Sequence, residues 1–89
     1  MSDFYQELGQ NIRDARLGEG MTQAQLAQRL GMTTTCLSYY ETGKRRPSIR
    51  TLAMISEILY ASLDFLIPDV DYKPSVDPGQ SDIYELIGE

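Results

Sequence analysis

Residues 21–43 have the sequence MTQAQLAQRLGMTTTCLSYYETG, which divides into two predicted helical segments on either side of Gly31. Its first half predicts a helix over about residues 23–30. Thr22 is the expected N-cap, because a threonine hydroxyl accepts a hydrogen bond from a free N–H of the first helical turn. Gly31 follows the last apolar position, and glycine enters the left-handed conformation that ends many helices without a steric penalty. The helix is therefore expected to end there.

The second half of the stretch predicts another helix over about residues 34–42, capped by Thr33 and ended by Gly43. The small side chain of Ala27 would let this helix cross closely above the first. The apolar positions expected to face the core are Leu26, Ala27, Leu30, Met32, Leu37 and Tyr40. Two helices that cross steeply over a short glycine-containing turn form a helix-turn-helix, whose second helix can enter a DNA major groove. An ordinary helical hairpin within a small bundle has the same pattern and stays open as an alternative.

Another helix is expected before this stretch, over residues 3–18, with Ser2 or Asp3 as its cap. Gly9 lies inside it at a cost of about 1 kcal/mol in helix propensity, which suggests a place where another helix packs closely. The apolar residues at helical spacing are Phe4, Tyr5, Leu8, Ile12 and Ala15.

Two helices are expected after the stretch, each following a capping serine. The fourth covers residues 49–60 after Ser48, and a short fifth covers residues 63–67 after Ser62. The apolar face of the fourth consists of Ile49, Leu52, Ile55, Ile58 and Leu59, with Ala53 and Met54 beside it. The expected fold class is therefore an all-α, compact five-helix domain.

The length and composition restrict the class of protein. Eighty-nine residues are enough for one domain. No apolar run approaches the ~20 residues of a membrane span, and the chain does not begin with a signal peptide. One cysteine cannot form an internal disulfide. A cytoplasmic location is therefore expected. The chain has no histidine and no glycine-rich phosphate loop or paired-carboxylate motif, so we expect no enzyme activity, no cofactor and no metal site.

The net charge of −5 is unevenly distributed. Residues 1–67 contain seven basic and seven acidic side chains, whereas residues 68–89 contain six acidic side chains and one lysine. We therefore divide the chain into a domain over residues 1–67 and an acidic, proline-containing tail over residues 68–89. The end of the tail could form a short docking helix with Ile83, Tyr84, Leu86 and Ile87. The tail is a solubilising extension, a dimerisation arm or a segment that binds a protein partner.

The segments TQAQLAQRLGMT, YYETGKRRPS and TLAMISEIL closely resemble the lambda-repressor-like (XRE-type) helix-turn-helix family. The resemblance covers about residues 5–67. The matching positions include Gln23 at the start of the motif, Ala27 and Gly31 at its small-residue positions, and Glu41, Gly43 and Lys44 at its end. The family includes phage repressors, Cro proteins, restriction-modification controllers and antitoxins. The resemblance implies a five-helix domain that binds operator DNA as a dimer.

By this resemblance, the outward face of the second motif helix contacts DNA bases through Thr34, Thr35, Ser38 and Tyr39. Threonine hydroxyls can bond several base edges and their methyl groups can contact thymine methyls, so Thr34 and Thr35 are the expected main base readers. Gln23 resembles a glutamine that donates to a phosphate and can buttress the first base-reading residue. The expected phosphate contacts are Gln23, Thr33, Lys44, Arg45, Arg46 and Ser48. Without the resemblance, the threonines would be solvent-exposed helix residues and the basic loop a solvated turn.

The resemblance also pairs Arg16 with Glu41, in an ion pair that would join the first helix to the end of the DNA-contacting helix. Cys36 lies near the N-terminus of that helix, where a thiolate is favoured. It is either a redox-sensitive thiol or a small residue packed beside DNA or the core.

The function implied is that of a bacterial or phage transcriptional regulator, a repressor that binds a palindromic operator as a homodimer. The two half-sites would lie about 34 Å apart, with the dimer contact near the fifth helix and the tail. The alternative is an antitoxin or anti-regulator in which protein binding is primary and DNA binding is secondary.

Overall fold

The computed structural model describes residues 4–70, and in this part of the chain it contains helices and no strands. The five helices are α1 (Phe4–Gly18), α2 (Gln23–Leu30), α3 (Thr34–Thr42), α4 (Ile49–Leu59) and α5 (Leu63–Leu66). The predicted all-α, five-helix class is therefore confirmed. The caps expected at Ser2 or Asp3 and the docking helix expected near the end of the tail lie outside the described residues.

Short polar side chains set the starts of α2 to α5. The hydroxyls of Thr22, Thr33, Ser48 and Ser62 each accept a bond from the backbone N–H three residues later. Thr22 and Gln25 form a reciprocal capping box, because the Gln25 side chain accepts from the Thr22 N–H at 2.8 Å. These bonds satisfy first-turn N–H groups that have no partner within their own helix.

The ends of the motif helices also lie where the sequence predicts them. Gly31 and Gly43 end α2 and α3 with φ of 74° and 81°, in the left-handed region. The helix predicted over residues 49–60 ends one residue early, because Tyr60 adopts a left-handed φ of 54° as the C-cap of α4. The fifth helix ends at Leu66, since Ile67 is already extended.

The core lies where all five helices meet. Its buried apolar residues are Leu8, Ile12, Leu26, Ala27, Leu30, Leu37, Leu52, Ile55, Leu59 and Leu66. The prediction that Ile49 belongs to the apolar face of α4 is wrong, because that side chain is 85% exposed. Ile49 begins α4 beyond the edge of the core, so helical spacing alone gives it no partner to pack against. Ala53, placed beside that face, is also exposed.

The close packing predicted at Gly9 occurs between α1 and α3. A Cβ atom built on Gly9 would lie 2.5 Å from the carbonyl oxygen of Glu41 and 2.7 Å from its carbonyl carbon. No side chain fits there, so glycine lets the backbone of α3 lie directly on α1. This contact fixes α3 against the longest helix of the domain.

Within residues 4–70, no helix combines the length and apolar character that crossing a membrane would require.

Candidate nucleic-acid interface

The outward face of α3 is polar and open to solvent at its start. Thr34 and Thr35 are exposed, and neither hydroxyl has a protein partner among residues 4–70. Tyr39 is 39% exposed and Ser38 is half-buried, whereas Leu37 is completely buried against the core. The helix is therefore anchored by its inner residue and leaves the four sequence-predicted base-contacting residues on or near its surface.

A buried hydrogen-bonded cluster holds α3 in place. Arg16 Nε donates to Glu41 Oε2 at 2.7 Å, and Arg16 Nη2 donates to Glu41 Oε1 at 3.1 Å. The remaining guanidinium nitrogen, Nη1, donates to the backbone carbonyl of Met21 at 2.8 Å. Two parallel bonds between a guanidinium and a carboxylate define orientation as well as distance. The cluster thus fixes the end of α3 relative to α1 and to Met21, the residue before the N-cap of α2.

Gln23 also belongs to this cluster. Its Nε2 donates to Glu41 Oε1 at 3.0 Å, so the half-buried amide bridges the first residue of α2 to α3. The family resemblance implies that Gln23 contacts a DNA phosphate and the first base-reading residue, but the contact with Glu41 was not predicted. Residues 23 and 41 are distant in the sequence, and only the crossing of α2 and α3 brings them together. One amide N–H bonds the carboxylate, and an amide nitrogen carries a second N–H.

The basic loop, defined as residues 44–50, follows the Gly43 cap of α3 and includes the first two residues of α4. The backbone N–H groups of Lys44 and Arg45 donate to the carbonyl of Tyr39 at 2.9 and 3.2 Å, which holds the loop against the helix end. Lys44 Nζ and Arg45 Cζ lie 5.8 and 5.9 Å from the centroid of the Tyr39 ring. Both cations therefore lie beside the exposed face of α3, within the range of a cation–π interaction.

Arg46 and Ser48 are held differently. Arg46 Cζ lies 4.6 Å from the centroid of the Tyr5 ring, so this cation contacts α1 rather than α3. The Ser48 hydroxyl accepts from the Thr51 N–H and donates to the Thr51 hydroxyl oxygen at 3.0 Å, so it is engaged within the protein. The free N–H groups of the first turn of α4 remain beside it, and such groups favour an anion.

The cap of α3 lies next to Cys36 and the basic loop. The Thr33 hydroxyl accepts from the Cys36 N–H at 3.1 Å, which leaves its own hydrogen available to a further acceptor. Cys36 is free and half-buried, with Sγ 3.7 Å from Arg45 Nη1. Burial, and after it the neighbouring Cys36 side chain, raise the pKa of Tyr40 above its usual value, while Arg45 opposes this shift. Tyr40 therefore remains a neutral phenol at physiological pH.

Among residues 4–70, no group of three or more histidine, cysteine or acidic side chains is placed to hold a metal ion. The surface consists instead of hydroxyls on α3 and cations in the basic loop. Hydroxyls suit base edges and cations suit phosphates, so this combination has the chemistry of a DNA-contacting surface.

Comparison with known proteins gives matches over the same region. Residues 12–66, more than half of the chain, match the family described as "Helix-turn-helix". The uncharacterized HTH-type transcriptional regulator YqaE of Bacillus subtilis is 40% identical over 58 residues, which cover 65% of this chain and 50% of YqaE. The SPbeta prophage-derived uncharacterized HTH-type transcriptional regulator YonR of the same organism is 33% identical over 79 residues, covering 89% of this chain and 73% of YonR.

A solved structure shares both fold and sequence. The clp gene regulator ClgR from C. glutamicum superposes with a TM-score of 0.69 at 30% identity, covering 73% of this chain and 85% of that one. This chain spans half the length of YqaE and about three quarters of YonR, so the matches concern the helix-turn-helix domain. The residues that match the family, 12–66, run from within α1 to the end of α5 and include the surface described above. The chain belongs to the lambda-repressor-like (XRE-type) helix-turn-helix family of transcriptional regulators.

Proposed function

We propose that this protein is a cytoplasmic repressor that binds a palindromic operator as a homodimer and inserts α3 into the DNA major groove. The observation that carries the proposal is the exposure of Thr34 and Thr35 on a helix that a buried ion pair holds in place. An oriented helix with free hydroxyls and methyl groups can reach the base edges that the major groove presents. The relatives are named as transcriptional regulators, which supports binding rather than catalysis.

The proposed phosphate contacts surround this helix. Lys44 and Arg45 lie on the Tyr39 side of α3, and Thr33 and Gln23 lie at the starts of α3 and α2. Arg46 and the first turn of α4, next to Ser48, extend the surface away from α3. Contacts with the phosphates would fix the register of α3, and Ser38 and Tyr39 would add to the base contacts made by the threonines.

Dimerisation is proposed through the surface around α5. Large apolar side chains are exposed there: Tyr60, Leu63, Phe65, Ile67 and Val70. Exposed apolar patches on small soluble domains often mark protein interfaces, and a two-fold contact here would present two copies of α3 to one face of a duplex. The expected separation of half-sites is about one helical turn, roughly 34 Å.

Selection of bound duplexes from a random-sequence pool tests the proposal. We expect an enriched inverted repeat, and a Thr34→Ala/Thr35→Ala variant should lose about five-fold or more in affinity for it, since a good base contact contributes ~1–3 kcal/mol. Affinity for unrelated duplexes should be unchanged. Thr42→Ala is the matched control, because that hydroxyl donates to the Ser38 carbonyl within α3. Selection without enrichment would contradict sequence-specific binding.

Repression requires its own measurement. The selected repeat, placed within a promoter that drives a reporter, should lower reporter output when the protein is produced. Increased output would make the protein an activator.

A further inference from the structure

The basic loop carries four cations that the described part of the chain leaves without an acidic partner. Lys44, Arg45, Arg46 and Arg50 are all exposed. Within residues 4–70, the ion pair that forms is the one between Arg16 and Glu41. Lys44, Arg45 and Arg46 contact aromatic rings, and Arg45 also contacts the Cys36 sulfur, but no carboxylate among residues 4–70 pairs with any of them. The loop is therefore a concentrated positive surface on a domain that is neutral overall.

The chain itself contains the complementary charge. The acidic segment, residues 71–89, has one lysine and five carboxylates: Asp71, Asp77, Asp82, Glu85 and Glu89. Its net charge of −4 matches the charge of the basic loop in size and is opposite in sign. Solvent-exposed charges of opposite sign attract over roughly the Debye length, about 8 Å at physiological salt.

The chain enters the acidic segment close to the basic loop. Pro68 and Asp69 line the same surface depression as Glu7 and Gln10 of α1. A bond of 3.0 Å from Asn11 Nδ2 to the Leu66 carbonyl holds α5 to the same part of α1. The point of departure is therefore fixed beside the N-terminal half of α1.

The basic loop contacts that same half of α1. Arg46 lies over the Tyr5 ring, and Gly43 packs so closely on Gln6 that a built Cβ would lie 2.9 Å from the Gln6 Cα. Tyr5 and Gln6 lie one to five residues before Glu7 and Gln10, which is roughly 1.5–7.5 Å along the helix axis. A random coil of 12 residues, the number that separates Val70 from Asp82, has a root-mean-square span of roughly 20 Å. The carboxylates can thus reach the loop.

We propose that the acidic segment lies across the basic loop in the free protein and competes there with DNA phosphates. The consequence for DNA rests on the function proposed above, whereas the contact itself does not. A tethered segment has an effective concentration on the order of millimolar, so a contact with a dissociation constant of about 0.25 mM lowers the apparent DNA affinity about five-fold. The contact weakens as salt is raised.

The contact is tested by a nitroxide label in the acidic segment of the full chain. The label is attached to Ser81→Cys in a Cys36→Ser background, and amide signals of the domain are measured by NMR. We expect the label to broaden the amide signals of residues 44–50. This broadening should disappear when the same protein also carries Asp77→Asn, Asp82→Asn and Glu85→Gln. Broadening confined to the apolar residues around α5, no broadening at all, or broadening only between separate molecules in a mixed-label sample would each overturn the proposal.

The competition is tested by DNA binding of the full chain at low salt. The triple variant Asp77→Asn, Asp82→Asn and Glu85→Gln should bind a mixed-sequence duplex about five-fold more tightly, and the gain should shrink as salt rises. The matched control is a second triple variant, Asp14→Asn, Glu19→Gln and Glu57→Gln. It removes the same number of negative charges, but from exposed positions of the domain. An equal gain in DNA affinity in the control would show that net charge alone explains the effect, and it would overturn the proposal.

The two measurements separate this inference from the proposed function. If no variant binds DNA while the label broadens residues 44–50, the proposed function fails and the contact stands. If DNA binds equally to all variants and no broadening occurs at the loop, the contact fails and the proposed function stands.

Discussion

Gly9 occupies the point where the backbones of α1 and α3 are closest. A methyl group at this position would collide with the carbonyl groups of Tyr40 and Glu41, which are backbone atoms and cannot rotate away. Gly18 ends the same helix, and a Cβ built there meets nothing within 4 Å. Comparing alanine substitutions at Gly9 and Gly18 therefore distinguishes the steric effect of a side chain from its effect on helix propensity.

Gly9→Ala should destabilise the domain by about 1–3 kcal/mol or more, because the clash exceeds the gain in helix propensity. Gly18→Ala should stabilise it by about 0.5–1 kcal/mol. Urea denaturation followed by circular dichroism gives both free energies of unfolding. A Gly9→Ala protein as stable as the parent would show that α3 does not lie directly on α1.

Arg16 is the residue through which three parts of the chain are connected. Arg16→Ala should lower the free energy of unfolding by about 3–5 kcal/mol, because it leaves the buried carboxylate of Glu41 without its cation. Operator affinity should fall as well, since the end of α3 is no longer held. Arg13→Ala, on the exposed side of the same helix, is the control and should change stability by less than about 0.5 kcal/mol.

Among the elements, the starts of α2 to α5 and the ends of α2 and α3 were predictable because they depend on neighbouring residues. Thr22, Thr33, Ser48 and Ser62 cap their helices through bonds that span three residues. The bond between Gln23 and Glu41 and the exposure of Ile49 were not predictable in this way. Both depend on where separate helices meet, and no local pattern in the sequence encodes that.

α3 and the basic loop act together as one surface in this account. Lys44 lies beside Tyr39 and has no role in the core, so its proposed contribution is to phosphate binding. Lys44→Gln should weaken binding to specific and unrelated duplexes alike and lower the slope of log affinity against log salt by about one. Fluorescence anisotropy across a salt series measures the slope, with Arg13→Gln as the control. An unchanged slope would show that Lys44 does not contact a DNA phosphate.

For the whole molecule, the distribution of exposed apolar side chains favours one dimer surface. Phe65 is 53% exposed on α5, while Ile49 is exposed at the opposite end of α4. Phe65→Glu should convert the dimer to a monomer, because it buries a charge in an apolar contact. Ile49→Glu should leave the dimer intact.

Light scattering coupled to size-exclusion chromatography measures the mass of each variant in solution. The parent protein should have twice the 10.1 kDa mass of one chain, and the Phe65→Glu variant should have half of the parent's value. A parent protein that is monomeric at every concentration tested would contradict dimerisation through α5.

In the proposed complex, the exposed start of α3 contacts DNA bases while the basic loop contacts the DNA backbone. An NMR titration of the protein with the selected duplex and with an unrelated duplex of equal length tests this arrangement most directly. The methyl signals of Thr34 and Thr35 should shift with the selected duplex alone, and the amide signals of residues 44–48 should shift with both. Threonine signals that do not move with either duplex, or that move equally with both, would contradict this arrangement.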